Sequence, residues 1–463
     1  MTQPRCLLTI GWICNAPCHR PIRPSISYPD QRLRARCGGF FCESWPDLDS
    51  TRRGSTNGVN TVYLYRCFTP FFRFAFLRVP AVTDSDSDSH SVNEFPIAPP
   101  APRKHRGAVT NLQGRYEVDQ REAVDDGWLS APEDDEPKVL RTQVFEERAK
   151  TILTRNASPD IPFSVSLNPY RGCEHGCIYC FARPTHAYLG LSPGLDFESR
   201  IYAKINAPEL LERELSKKSY VPEPIALGVN TDAWQPVERD LRLTRRVIEV
   251  LSERQHPFAA ITKSSLIERD LDLLAPMAAR GQFMAAITIT TLDAEIARTL
   301  EPRAATPSRR LRAIRTLSEA GIPVGVSIAP VIPFVTEPDM ERVLEACAEA
   351  GASNASYIVL RLPWEVAPLF KDWLTAHFPD RADRVMSRVR DMRGGKDYDS
   401  SFSTRMKGEG LWADLLKQRF HKAVRRLGLN RRDRGILDMS HFRPVDVPRA
   451  DKPAHDDPQL NLF

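Results

Sequence analysis

The chain has no long apolar run. Nowhere do about eighteen apolar residues follow one another, so the sequence offers no membrane-spanning helix and no membrane partner is expected. It also lacks a net charge large enough to name a partner. The balance is +5 from 64 basic and 59 acidic side chains, so only local clusters carry electrostatic information. A basic start followed by an apolar core and a small-residue cleavage site is missing, and with it any sign of export. Cysteine is absent over most of the length. Of ten cysteines, Cys6, Cys14, Cys18, Cys37, Cys42 and Cys67 precede position 68, and after Cys180 only Cys347 follows. A small secreted domain spaces and pairs its cysteines differently. We therefore read the chain as cytoplasmic, with its thiols reduced.

What is present divides into regions. The 463 residues allow two or three units, or one large barrel with extensions. Residues 1–80 mix Cys, Arg, Pro and aromatics without helical or strand period. They read as an atypical leader, not part of the natural protein. After Met1 the next methionine is Met277, so translation is expected to begin near Val79 or Val82 at a non-Met codon. Residues 81–140 hold the acidic run TDSDSDSHS and the Pro-rich PIAPPAPRKHR. They read as a disordered linker, because such composition buries too little apolar surface to offset chain entropy. Residues 141–380 form the expected barrel, 381–435 a helical C-terminal extension, and 436–463 a flexible tail.

Within the barrel region, six β-rich runs recur at 163–168, 225–230, 258–262, 283–290, 323–329 and 355–360. Amphipathic stretches separate them at 240–253, 265–279, 307–321 and 337–351. Gly321 and Gly351 sit where a helix end favours a left-handed residue. Alternating strands and helices imply an α/β fold with parallel strands. Six units suit a partial (βα)6 barrel. Periodicity alone also allows a full eight-fold barrel or an open doubly wound sheet.

One loop concentrates the chemistry. RGCEHGCIYCF, after the first strand, places Cys173, Cys177 and Cys180 in the spacing C-x3-C-x2-C. In parallel α/β folds, ligands bind beyond the carboxyl ends of the strands, where this loop lies. Thiolates favour zinc, copper(I) or iron–sulfur clusters, and Gly172 and Gly176 free the backbone to wrap one. A zinc site could use His175 or His186 as a fourth ligand, although zinc ligands usually come as two separated pairs. A ferredoxin-type cluster wants four cysteines, and the spare Cys347 falls inside an expected helix. Three ligands on a four-iron cluster leave one iron open.

This triplet, with Tyr179 before its last cysteine, resembles the signature of the radical S-adenosylmethionine (radical SAM) superfamily. The resemblance implies that the three cysteines hold a 4Fe–4S cluster whose open iron chelates SAM. It also implies an electron donor and reductive cleavage of SAM to a 5′-deoxyadenosyl radical, which abstracts hydrogen from a substrate. Asn230, Thr231 and Asp232 end the second strand, where the family binds the SAM amino group. Lys263 ends the third and could meet the SAM carboxylate, with Arg303 as an alternative partner.

Longer runs are similar to one branch. NPYRGCEHGCIYCFAR, GVNTDAWQPVERDLRLTR, ITKSSLIERDLDLL, LEPRAATPSRRLRAI and AGIPVGVSIAPVIP resemble the spore photoproduct lyase-related (Rv2578c-like) proteins. The similarity spans about residues 103–430, including RGAVTNLQGRYE at 106–117. Spore photoproduct lyase uses a later cysteine as hydrogen donor. Here the sole later cysteine is Cys347, which reads as core, so the resemblance implies the shared cofactor chemistry more securely than a lyase-like reaction or a shared substrate. Damaged or modified nucleic acid is the leading substrate class, with a protein or small metabolite as the alternative. A zinc-stabilised module that joins DNA complexes is the non-enzymatic alternative. HKAVRRLGLNRRDRG at 421–435 is basic enough to track phosphates. The ending QLNLF (Gln459, Leu460, Asn461, Leu462 and Phe463) resembles the short peptide that binds bacterial sliding clamps.

Overall fold

The computed structural model describes residues 34–37, 40–43, 102–117, 140–431 and 437–444. The chain divides into two compact units, Met1–Val92 and Asn93–Phe463. In the first, β1 (Arg34–Cys37) pairs antiparallel with β2 (Phe40–Glu43). The rest of the expected leader, and the expected tail beyond 444, lie outside the described residues.

The second unit opens with β3 (Gln143–Glu147), β4 (Leu153–Arg155), β5 (Val165–Leu167) and β6 (Tyr170–Arg171). Then come α1 (Leu195–Ser199), β7 (Arg200–Lys204), α2 (Ala207–Leu215), β8 (Ile225–Leu227), α3 (Glu238–Leu241) and α4 (Leu243–Glu253). Four strands and four helices follow in near alternation: β9 (Phe258–Thr262), α5 (Leu271–Ala279), β10 (Phe283–Thr288), α6 (Ala294–Leu300), α7 (Pro307–Glu319), β11 (Val324–Val331), α8 (Met340–Glu349) and β12 (Asn354–Val359). Three helices finish the unit: α9 (Val366–His377), α10 (Ala382–Asp391) and α11 (Gly410–Leu427).

The main sheet runs β12-β11-β10-β9-β8-β5-β4. Its first six strands are parallel neighbours, and β4 closes one edge antiparallel to β5. This is the partial (βα)6 barrel, open between β12 and β4. It excludes the eight-fold barrel and the doubly wound order. Parallel neighbours require crossovers, and the amphipathic helices supply them. In β9 and β10, Phe258, Ala260, Phe283, Ala285 and Ile287 are buried, while Ala259, Ile261, Met284 and Ala286 between them are partly open. A period of two thus sends one set of side chains into the core and the other toward the barrel interior. A smaller sheet, β3-β7-β6, stands beside the first crossover, and β6 runs straight into the cysteine loop.

The six expected strands all form, with ends shifted by up to three residues. Two expected helices are interrupted. The stretch 240–253 breaks at Arg242, with φ of 49°, into α3 and α4. The stretch 265–279 begins as a 3-10 turn over Ser265–Asp270 before α5. Gly321 and Gly351 take φ of 77° and 103° at the helix ends. A Cβ on Gly351 would lie 2.5 Å from Ser318 Oγ, so that position strongly favours glycine.

The linker expectation needs correction. Residues 102–117, inside the stretch 81–140, are built into the core. Ala108 is fully buried, the Thr110 hydroxyl donates to Asp372 at 2.9 Å, and the Arg106 guanidinium donates to Glu198 O at 2.7 Å. Composition misled here because the segment is held by hydrogen bonds to distant backbone and carboxylates, which no local hydrophobic pattern announces.

Candidate functional site

The cysteine loop is shaped from behind by a buried ion pair. Arg183 and Glu198 are both 0% exposed and lie 2.5 Å apart. The Arg183 guanidinium also donates to the carbonyls of Cys177 (2.9 Å), Gly176 (3.0 Å), Gly194 (2.9 Å) and Pro193 (3.1 Å). Glu198 in turn accepts from the N–H groups of Gly107 (2.9 Å) and Ala108 (2.8 Å). The loop glycines are required where they stand. Gly172 and Gly176 have φ of 76° and 67°. Added Cβ atoms would meet Phe197 O at 2.9 Å and Glu198 Oε2 at 2.8 Å.

So held, the three cysteines line one cavity of about 180 Å³. Its walls come from the carboxyl ends of the parallel strands: Gly228 and Asn230 after β8, Thr262 and Lys263 at β9, Thr288 at β10, Ser327 at β11 and Val359 at β12. Burial pushes the Cys177 thiol up to about 12 and the Cys173 thiol well above its ordinary value. Both would stay protonated unless a cation replaced their protons.

Each expected residue has a definite place. Tyr179 lines the cavity, and its hydroxyl donates to Glu301, which also pairs with Arg310. Asn230 lines it too, its own N–H donating to Asn168 Oδ1 at 2.9 Å. Lys263 lies over the Tyr179 ring at 5.9 Å. Burial works against its ammonium, yet Cys177 and Glu301 hold its pKa above the ordinary value. Asp232 reaches the cavity but is fully engaged. It accepts from Trp234 N (2.9 Å), the Thr262 hydroxyl (2.7 Å) and Lys263 N (2.8 Å), and lies 3.3 Å from His175 Nδ1. Burial alone would raise its carboxyl, but His175 and these donors hold it at about 2.

Two expected residues are turned away. The Thr231 hydroxyl donates to Tyr170 O at 2.8 Å and is buried outside the cavity. Arg303 pairs with Glu174 at 2.9 Å and donates to Thr142 at 3.2 Å, so it is not among the cavity residues. The run of charges from Arg303 to Arg310 hid which arginine pairs behind the loop. Arg310, seven positions on, makes the buried pair with Glu301 instead. His186 is bound to Arg200 O at 3.0 Å and lies outside the cavity, so it does not complete a Cys3His set. Among the described residues, no group of three or more His, Cys, Asp or Glu is placed to hold a single metal ion.

Sequence reasoning missed Arg183, Glu198, Glu301 and Arg310, which act through partners far along the chain. It also missed Phe181 and Arg361, both at the cavity wall. For Phe181 the signal was present, an aromatic directly after the last cysteine.

Comparison with known proteins adds to this geometry. A family profile described as the radical SAM superfamily matches residues 167–347. The uncharacterized protein Rv2578c of Mycobacterium tuberculosis (strain H37Rv) is 36% identical over 234 residues, spanning 50% of this chain and 68% of its own. The uncharacterized protein MJ0683 of Methanocaldococcus jannaschii is 24% identical over 249 residues, spanning 54% of this chain and 89% of its own. Among solved structures, spore photoproduct lyase complexed with dinucleoside spore photoproduct matches at 14% identity and a TM-score of 0.41. That match covers 62% of this chain and 80% of the other.

Proposed function

The chain belongs to the radical SAM superfamily, and from that premise we propose which residues serve the chemistry and on what class of substrate. The enzyme's cofactors are those of its family, a 4Fe–4S cluster and S-adenosylmethionine. Cys173, Cys177 and Cys180 hold the cluster. The observation that supports this is their convergence on one cavity at the strand ends, with no acid or histidine completing a single-ion site among the described residues. Three soft thiols on one wall, with Cys173 and Cys177 buried, fit a polycationic inorganic core. When bound and reduced, that group supplies the electron that cleaves SAM, with 5′-deoxyadenosine as the product to measure.

The chain's own side chains orient the cofactor. Asn230 offers its amide to the SAM amino group, and the Lys263 ammonium meets the SAM carboxylate. Asp232 positions Lys263 through its backbone N–H and anchors the loop through His175. Tyr179, Glu301 and Arg310 form a buried polar wall that fixes the loop against the β10 end. Thr231 and Arg303 hold neighbouring backbone and Glu174, not cofactor.

The substrate is damaged or modified nucleic acid, met in the cytoplasm, and the reaction draws on an electron donor. Support comes from α11, whose exposed face carries Lys417, His421, Lys422 and Arg425 beside Gln418 and a single acid, Asp414. Such a basic face suits a phosphate backbone. The ending Gln459, Leu460, Leu462 and Phe463 lies outside the described residues. Its binding to a sliding clamp is tested with the free peptide, where loss on Leu462→Ala plus Phe463→Ala is expected.

The deciding experiment is anaerobic. The protein is reconstituted with iron and sulfide, reduced with dithionite and given SAM. About four irons per chain and 5′-deoxyadenosine are expected, with both lost in Cys177→Ala. One zinc and no iron would overturn the assignment and return the zinc-stabilised module. Cleavage of SAM without any nucleic-acid binding would move the substrate to a protein or small metabolite.

A further inference from the structure

Three arginines stand around the cysteine loop, and two of them lie outside its cavity and are committed. Arg183 is saturated by Glu198 and four carbonyls. Arg310 is matched to Glu301 and donates to Thr288 O at 3.0 Å and Ala305 O at 2.7 Å. Arg361 is different. It follows β12 and lines the cavity directly. Its two terminal nitrogens reach only a thioether and a phenol, Met406 Sδ at 3.5 Å and Tyr398 Oη at 3.4 Å. Its Nε is buried with no partner. The nearby carboxylate of Asp160 is already taken by Arg405 in a two-pronged pair at 2.5 and 2.6 Å.

An unmatched guanidinium in a partly desolvated wall is costly, and its rigid fork suits a two-pronged oxyanion. Phe181 completes the arrangement. It is 48% exposed, directly follows Cys180, and presents its ring to the Arg361 guanidinium at 5.6 Å. One cation and one flat apolar face therefore stand together beside the cluster loop.

We propose that Arg361, backed by Phe181, is the substrate-side anion subsite of this cavity. It receives an oxyanion of the substrate, a phosphodiester on the nucleic-acid reading above, on which this assignment rests for its ligand class. Lys263 serves the SAM carboxylate, so the two cations divide the two ends of the reacting pair. Both oxyanions share one chemistry, and the test must separate them.

Wild type, Arg361→Gln and Arg361→Lys holoenzymes are titrated anaerobically with three probes: single-stranded oligothymidylate, inorganic pyrophosphate and SAM. Thermal unfolding checks that each variant is folded. Arg361→Gln is expected to weaken oligothymidylate and pyrophosphate by roughly tenfold or more, as loss of a charge-assisted two-pronged contact does. Arg361→Lys keeps the charge but not the fork and is expected to fall between. SAM affinity should stay unchanged in both. If the glutamine variant does not fold, the lysine variant alone carries the comparison. Selective loss of SAM affinity would assign Arg361 to the cofactor and overturn the proposal. So would equal binding of both anions in all forms, or no binding of either by wild type. Pyrophosphate binding that depends on Arg361, without oligothymidylate binding, would keep the subsite and sink only the nucleic-acid reading.

Discussion

At the scale of single residues, Arg183 shows how much of this site is built by groups that never enter it. All five of its N–H donors are used, four on loop carbonyls and one on Glu198. Arg183→Met is expected to lower stability by about 3–5 kcal/mol, because Glu198 is left charged and buried. Urea unfolding measures it, and adding Glu198→Gln should recover part of the loss. A second residue sets a pH limit. His256 is buried, with Tyr220 Oη 2.7 Å from its Nε2, and burial lowers its pKa from 6.5 to about 4. The unfolded chain therefore binds the extra proton between these values, and stability falls as pH drops from 6.5 to 4. The contribution is of order 3 kcal/mol. Unfolding curves across that window should be clearly less steep in His256→Gln than in wild type, the remaining slope coming from His186, whose pKa burial also lowers to about 4. The cysteine triplet was legible because its spacing is local. Arg183 was not, because its role depends on Glu198, Gly176 and Gly194 meeting in space.

At the scale of elements, the two helix-ending glycines differ in a way sequence alone does not separate. Gly321 has open space where a Cβ would stand, whereas Gly351 faces Ser318 Oγ at 2.5 Å. Alanine at 321 bears only the backbone cost of a positive φ, about 1 kcal/mol. Alanine at 351 adds a steric cost and should lose about 2–3 kcal/mol. Parallel thermal unfolding of the two variants checks the order. The six parallel strands were readable because each is a compact β-rich run bounded by helical pattern. The small sheet was not. Its β6 has two residues, and β3 is largely exposed, so neither carries a hydrophobic period. Helix α6, seven residues long, escaped for the same want of length.

At the scale of the whole molecule, the site lies entirely within the unit Asn93–Phe463. A chain begun at residue 93 should fold and bind iron as the full chain does. One begun at residue 118 should not, because it strips Gly107 and Ala108 from Glu198 and leaves that carboxylate short of partners. Expression, unfolding midpoint and iron content of the two truncations test the pair of expectations. The same arrangement has a consequence for maintenance. The loop takes its curve from Arg183, Glu198 and two glycines, none of which supplies a thiol. On the proposed assignment, its shape should therefore persist when the inorganic part is lost. Air that bleaches the enzyme should leave a receptacle ready for repair, so a cell could restore spent copies by delivering iron and sulfide instead of synthesising the chain again.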